Sequence, residues 1–493
     1  MSAHLPALTV VLPLLAAALC MFVRNPLASR ILAVLTAWTS FGISLVMLQK
    51  IGPTGSRISY EMGGWAPPLG IEYVVDPTNI PVLVIVPMIA SIVLIYGPGS
   101  AVLQVPHGRM HLFYSAFLVT MAGLMGIAIT GDLFNVFVFL EISSLGSYSL
   151  ISLGHDRRAL MAAFSYLIMG TIGGTFILIG IGLVYQMTGT LNMADISLRL
   201  TPEIQTTRTM RVAFGFLCVG TSIKLAVFPL HQWLPNAYTY APSSVGAFLA
   251  GTATKVSYYV LLRLVFGIFG TAFVFDILNF DVMIVGLSLA AMFIGSTAAI
   301  YQTNIKRLLA YSSIAQIGYM TLGLGIANTP ALTGGVVHLF NHALIKGGLF
   351  LVVANVTYRL GSSRIADMNG LGKRMPVTAA AFVIGGLGLI GVPATAGFVS
   401  KWYLVLGAIE KGWYGIAFAI LLSSLLAVVY VWRVIEVLYF REPVGNAAKA
   451  QEAPMSMLIP TWILIGGSIV FGLWTPWTVG IANQAARHLL GAM

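Results

Sequence analysis

Apolar runs long enough to cross a hydrocarbon core of roughly 30 Å recur along the whole chain. Fourteen of them fall near 5–23, 30–49, 78–97, 110–130, 132–152, 160–187, 210–228, 242–267, 279–301, 308–327, 331–357, 377–407, 412–440 and 457–480. The pattern predicts an all-α polytopic membrane protein with about 14 transmembrane helices. Residues 1–23 carry no basic leader, so they read as a first span rather than a removable signal. Two intervening stretches are longer than simple turns. Ile51 to Pro77, with its Gly63-Gly64 and Pro67-Pro68 pairs, reads as an ordered outer loop, and Leu191 to Arg211 as a helix lying along the membrane surface.

Composition supports this pattern. Of 493 residues, 58% are hydrophobic and only 8% charged, against the roughly 25% charged of a soluble domain. The net charge of +11 is spread singly or in pairs over short loops, which speaks for membrane topology and against nucleic-acid binding. With the N-terminus outside, thirteen basic residues fall in cytoplasmic loops and eight in the opposite ones, which places both termini outside by the positive-inside rule. Cys20 and Cys218 lie in apolar runs and support neither a disulfide framework nor a metal cluster. No nucleotide loop, haem motif or flavin fingerprint occurs, so no cofactor is expected and any redox chemistry would belong to a partner.

Two runs are interrupted. Pro229 follows Lys224, and Gly391-Val392-Pro393-Ala394-Thr395-Ala396-Gly397 precedes Lys401. Proline removes a backbone donor, and freed backbone groups at membrane depth need protein or a hydrated cavity beside them. Paired interrupted helices in two halves of a chain point to an ion path built from inverted repeats; kinks that serve packing alone are the plain alternative.

The ionisable residues inside the runs are few: Glu141, Lys224, Lys255, Lys346, Lys401, and Arg433 with Glu436 near a helix end, with Asp132 at a boundary. Each charge at that depth is costly and calls for a partner or a hydrated path. Glu141, sharing a helical face with Ser144 and Tyr148, is the expected partner of Lys224, although a structural salt bridge would look the same. Lys255 shares a face with Thr252 and Tyr259, an expected hydrogen-bonded stripe, while snorkelling from a helix end remains open for Lys255 and Lys401. His338, His342 and Lys346 follow at i, i+4 steps. Histidine suits proton transfer; a metal-binding pair or histidines bonded only to backbone are the alternatives. A carboxylate, four buried lysines and two histidines on successive helices have the makings of a lateral proton relay.

Several stretches resemble the antiporter-like subunits shared by Mrp-type cation/proton antiporters, respiratory complex I and membrane-bound hydrogenases. They are Phe228-Pro229-Leu230-His231-Gln232-Trp233-Leu234-Pro235 with Ala241-Pro242, Lys306-Arg307-Leu308-Leu309-Ala310-Tyr311-Ser312-Ser313, the His338 to Lys346 segment, and Phe398-Val399-Ser400-Lys401. Asn236 departs from the pattern, standing where many members carry an acidic residue. The resemblance implies N-terminal helices and an outer loop over 1–109, inverted five-helix repeats at 110–267 and 279–440, and a C-terminal linker and last helix over 441–493. By the same resemblance, Glu141 pairs with Lys224, Lys255 bridges, His338 and His342 sit centrally, and Lys401 faces the far exit. Length and the lack of a C-terminal extension favour the D-type subunits of Mrp antiporters. The expected function is a proton-translocating subunit of a multisubunit Na⁺/H⁺ antiporter in a bacterial inner membrane, working with other membrane subunits. A subunit of a redox-driven pump or of an inorganic-carbon uptake system stays open.

Overall fold

The computed structural model describes residues 4–52, 55–105 and 107–491. Helices α1 (Leu5–Phe22), α2 (Pro26–Ile51) and α3 (Ile80–Gln104) are interrupted by a hairpin of β1 (Ile58–Glu61) and β2 (Glu72–Val75). There follow α4 (Met110–Ile129), α5 (Leu133–Ser152), α6 (Arg158–Thr188), α7 (Met193–Arg199), α8 (Pro202–Thr206), α9 (Arg208–Leu225), α10 (Trp233–Tyr240) and α11 (Ser243–Leu262). The remainder is α12 (Phe280–Ile300), α13 (Ile305–Ile326), α14 (Thr329–Leu360), α15 (Pro376–Ile390), α16 (Ala396–Glu410), α17 (Tyr414–Tyr439), α18 (Asn446–Lys449), α19 (Met455–Leu473) and α20 (Pro476–Leu489).

Side chains set many of these boundaries by taking up the free N–H groups of a first turn. Asp132 accepts from Asn135 N at 2.7 Å to start α5, Asn304 from Lys306 N at 2.9 Å to start α13, and Asn328 from Ala331 N at 3.0 Å to start α14. Gly361, at φ +69°, stops α14 in the left-handed conformation that costs glycine least.

Among the described residues ten helices are long and apolar enough to cross a membrane, and the other four predicted runs are occupied by α3, α9, α13 and the α15–α16 pair. The chain is a multi-pass membrane protein. Helix α14 is its axis. Its apolar window is wholly buried, and α3, α11, α13, α15, α16, α19 and α20 all pack on it. Two five-element blocks repeat one packing scheme: α4 on α5, α5 on α6, α6 on α9, α9 on α11 and α11 on α4, then α12 on α13, α13 on α14, α14 on α16, α16 on α17 and α17 on α12.

Three stretches differ from expectation. The outer loop contains the hairpin, whose Ile58 to Glu61 pair with Val75 to Glu72; Glu72 O accepts from Gly131 N at 2.8 Å, tying the hairpin to the α4–α5 turn. The surface segment forms two short helices, α7 and α8, because Pro202 starts a new helix after Leu200 leaves helical geometry. The last run ends at Leu473, and Pro476 opens the separate helix α20. Both ends of the described chain lie on the hairpin face: His4 Nδ1 is 3.0 Å from Tyr60 Oη, and His488 Nδ1 is 3.0 Å from Thr78 Oγ1.

Candidate proton relay

The first charged pair is built by close helix packing. A Cβ on Gly220 would lie 2.6 Å from Gly173 O, so α6 and α9 approach backbone to backbone one turn before Lys224. Gly170 and Gly174 then form a smooth groove on α6. A Cβ at Gly170 would stand 1.8 Å from Tyr148 Oη, and one at Gly174 2.4 Å from Glu141 Oε1. In that groove Lys224 Nζ sits 3.5 Å from Glu141 Oε1 and donates to Ser144 Oγ at 2.7 Å. The lysine is buried and the carboxylate partly exposed, at 4% and 30%.

Immediately after Lys224 the helix stops, with Ala226 at φ +61°. The carbonyl of Ile223 accepts from Trp233 Nε1 at 2.8 Å, and Trp233 stacks on Tyr166 at 3.8 Å between centroids. The break after Lys224 is therefore stabilised by a side chain from α10.

Lys255 is buried in α11 and donates to Ala250 O and, at 3.4 Å, to Thr254 Oγ1. The expected stripe through Thr252 and Tyr259 does not form. Thr252 Oγ1 turns back to Phe248 O at 2.7 Å, and Tyr259 Oη accepts from Arg263 Nε at 2.9 Å. Helices α11 and α14 run antiparallel, with Gly246 against Phe350, Gly251 against Ala343 and Gly335 against Tyr258. That register sets Lys255 level with His338 and His342.

The two imidazoles stack at 5.7 Å between centroids and 14° between planes. His338 Nδ1 lies 2.8 Å from Ser400 Oγ, while His338 Nε2 and both nitrogens of His342 have no partner among the described residues. Lys346 leaves the stripe: its Nζ donates to Leu309 O at 2.7 Å and to Ser312 Oγ, both on α13.

Lys401 occupies the second break. Its Nζ donates to Leu389 O at 3.1 Å, Ile390 O at 2.8 Å and Ser424 Oγ at 3.0 Å, and lies 4.5 Å from the Tyr319 ring centroid. The carbonyls left free at the end of α15 are thus capped by a cation, at the helix end where the backbone dipole favours one. A Cβ on Gly397 would lie 1.9 Å from Gly388 O, so only glycine lets α16 start so close to α15. Arg433 and Glu436 do not pair: Arg433 donates to Ile300 O and Gln302 O, and Glu436 bonds Arg441.

One buried cation was missed as a site residue. Lys306, assigned by sequence to a cytoplasmic loop, is 6% exposed, with Nζ 3.5 Å from Ala241 O. It lines a cavity of about 400 Å³ with Tyr240, Asn304 and Ser363, at the end of the bundle away from the hairpin. Leu309, one turn further along α13, supplies the carbonyl that holds Lys346. The signal was present in the Asn304 cap, which fixes Lys306 in the first turn of a helix.

The sequence profile of the NADH:quinone oxidoreductase/Mrp antiporter transmembrane family matches residues 130–427, from the α4–α5 turn to the middle of α17. The chain belongs to that family. Its relatives include the NADH-quinone oxidoreductase N subunit of Desulforudis audaxviator (strain MP104C), 41% identical over 99% of both chains, and the Na(+)/H(+) antiporter D subunit of Bacillus subtilis (strain 168), 30% identical over 98% of this chain and 96% of the relative. Among solved structures, a chain of the Mrp complex from Dietzia sp. DQ12-45-1b superposes with a TM-score of 0.90 at 23% identity, covering 99% of this chain and 97% of the other. A chain of the archaeal membrane-bound sulfane sulfur reductase gives 0.89 at 26% identity with the same coverage. The matched region, 130–427, carries Glu141, Lys224, Lys255, His338, His342, Lys346 and Lys401, and the relatives extend the likeness over nearly the whole chain.

Proposed function

We propose that this chain is the proton-translocating membrane subunit of a multisubunit monovalent cation/H⁺ antiporter. One observation carries the reading: Lys255, Lys346 and Lys401 are buried, and among the described residues each ammonium is held only by neutral acceptors. Adjacent helices lie about 8–10 Å apart. At that spacing two unit charges interact by roughly 1.7–2 kcal/mol at an effective dielectric of about 20, more than a tenfold change in occupancy. Each protonation event is therefore felt at the next site. Glu141 and Lys224 load the row, Lys255 passes it to His342 and His338, and Ser400 leads on to Lys401. Lys306 and Lys346 connect it to the cavity opposite the hairpin.

The blocks 110–267 and 279–440 act as inverted repeats, a reading supported by their shared packing scheme and by the broken fourth element of each. The protein sits in a bacterial inner membrane with both termini outside, in keeping with the excess of basic residues in the other loops. The partners are other membrane subunits. A redox-driven complex is the second reading, favoured by the 41% identity to an oxidoreductase N subunit. The test compares the chain purified with its partners and alone, in proteoliposomes. The complex should exchange Na⁺ for protons, the isolated chain should not, and Lys401→Ala should abolish exchange without loss of assembly. Exchange by the isolated chain, or normal exchange by Lys401→Ala, would overturn the assignment. Proton pumping driven only by a redox substrate would select the second reading.

A further inference from the structure

On the hairpin face a cavity of about 410 Å³ opens beside the end of α11, with room for on the order of ten waters. Helix α11 thus has a large cavity at each end, since Pro242 at its start lines the cavity that holds Lys306, and charged side chains (Arg57, Glu72, Asp76 and Arg263) stand among the apolar ones of the hairpin-face cavity. Lys255, Tyr259 and Arg263 follow at i, i+4 and i+8, on one face, and Arg263 is about 12 Å along the axis from Lys255. At Arg263 the helix widens to π geometry as far as Ile268. The guanidinium donates to Tyr259 Oη on the Lys255 side and to Asp76 Oδ2 on the cavity side, with the arginine side chain 15% exposed and the aspartate 3%. Arg263 therefore stands between the cavity and Tyr259, on the face of α11 that also carries Lys255.

Resting on the relay reading, we infer that this cavity is the aqueous port through which protons pass between the hairpin face and Lys255, and that Arg263, positioned by Asp76, is its cation filter. Both buried carboxylates of the cavity wall are committed. Glu72 accepts from Arg57 at 2.7 Å, Ser59 at 2.6 Å and Asn192 at 3.3 Å, and Asp76 accepts from Arg263 and from the N–H groups of Thr78 and Asn79 at 2.9 and 3.2 Å. A metal cation arriving there finds a guanidinium and no uncommitted carboxylate to replace its hydration shell. A proton needs no such ligands: it can travel along water and the Tyr259 hydroxyl. The two functions of the Arg263–Asp76 pair, pinning the hairpin and filtering ions, are separable by experiment.

The test uses the assembled complex in proteoliposomes. Cys20 and Cys218 are buried, so in this chain Thr271→Cys, exposed in the cavity wall, offers the one thiol within reach of a membrane-impermeant cationic thiol reagent. Modification from the hairpin side should slow proton translocation on the order of tenfold, the factor set by one added charge about 10 Å from the path at an effective dielectric of about 20. The same reagent on the other side should do nothing. Arg263→Gln should then make translocation sensitive to hairpin-side Ca²⁺, by a similar factor, because Asp76 is left uncompensated. Asp76→Asn combined with Arg263→Gln should remove that sensitivity, and Arg263→Lys should never acquire it. A Thr271→Cys thiol that is not labelled, labelling without effect on rate, or an Arg263→Gln complex indifferent to Ca²⁺ would each overturn the proposal. Lys255→Ala separates the two levels: if it abolishes translocation while the port variants behave as wild type, the relay stands and the port does not, whereas normal translocation by Lys255→Ala removes the relay itself.

Discussion

Removing either member of the Glu141–Lys224 pair should disable transport, and removing both should cost little more than removing one. At the observed 3.5 Å, two unit charges attract by about 5 kcal/mol at an effective dielectric of about 20. The Glu141 side chain is 30% exposed although its Oε1 is buried, so solvent at the rest of the carboxylate takes up part of that, and Ser144 Oγ remains to hold Lys224 at 2.7 Å. A coupling of roughly 2–3 kcal/mol is left, within the range seen for residues in direct contact and equal to about 30- to 150-fold in rate. The assay is a double-mutant cycle of initial proton-translocation rate in the assembled complex, using Glu141→Gln, Lys224→Ala and the double variant, with subunit levels measured in parallel. Each single variant should fall by at least about 30-fold, and the double should match the worse single. If the two losses simply add to within about 0.5 kcal/mol, or if either single variant transports normally, the pair is not a shared step and the reasoning from its geometry fails.

Gly174→Ala should slow transport while leaving the complex assembled, because its Cβ would stand 2.4 Å from Glu141 Oε1 and the carboxylate must swing away from Lys224; normal rates would show that the groove on α6 is not needed. Trp233→Phe keeps the stack on Tyr166 but deletes the bond to Ile223 O, so thermal unfolding in detergent should show a loss of about 1 kcal/mol, and hydrogen exchange should rise at residues 223–232. Just past the hairpin, burial works to raise the Asp76 carboxyl, but the Arg263 guanidinium, His488 and its hydrogen bonds outweigh it and hold it below the ordinary 3.8. A carboxyl lowered on folding stabilises the protein fully above its unfolded value and progressively less as pH falls through the folded one. The protection of residues 58–75 against hydrogen exchange, corrected for the intrinsic pH dependence of exchange, should therefore fall below about pH 4, the ordinary aspartate range, and Asp76→Asn should be less protected already at neutral pH.

Helix positions and the seven charged or histidine residues were legible because burial in lipid leaves so few places for charge. Partners were less so. The face shared by Lys255, Thr252 and Tyr259 was read correctly as geometry, yet Tyr259 bonds Arg263, since spacing along one helix says nothing of what a neighbouring loop delivers. The hairpin was hidden because its strands are four residues each and flanked by glycine and proline pairs. Gly170 and Gly174 could have been found: small residues four apart in a membrane helix mark a close-packed face. Lys306 was lost among loop charges, because a lysine two residues into a helix and a lysine in a loop look the same until the Asn304 cap is noticed.

Lys401 holds three acceptors, and an ammonium has three hydrogens. Leu389 O, Ile390 O and Ser424 Oγ use all of them. A neutral amine has two hydrogens and a lone pair, so the two carbonyls can be kept only if Ser424 reverses and donates to the nitrogen. The Ser424 hydroxyl now points at Ile420 O, 3.1 Å away. Loss of one proton at the end of α15 therefore costs α17 a hydrogen bond one turn down its length, and the arrival of a proton restores it. In this arrangement a charge at the broken helix is recorded as a direction of hydrogen bonding in its neighbour, with no atom displaced by more than a hydroxyl rotation.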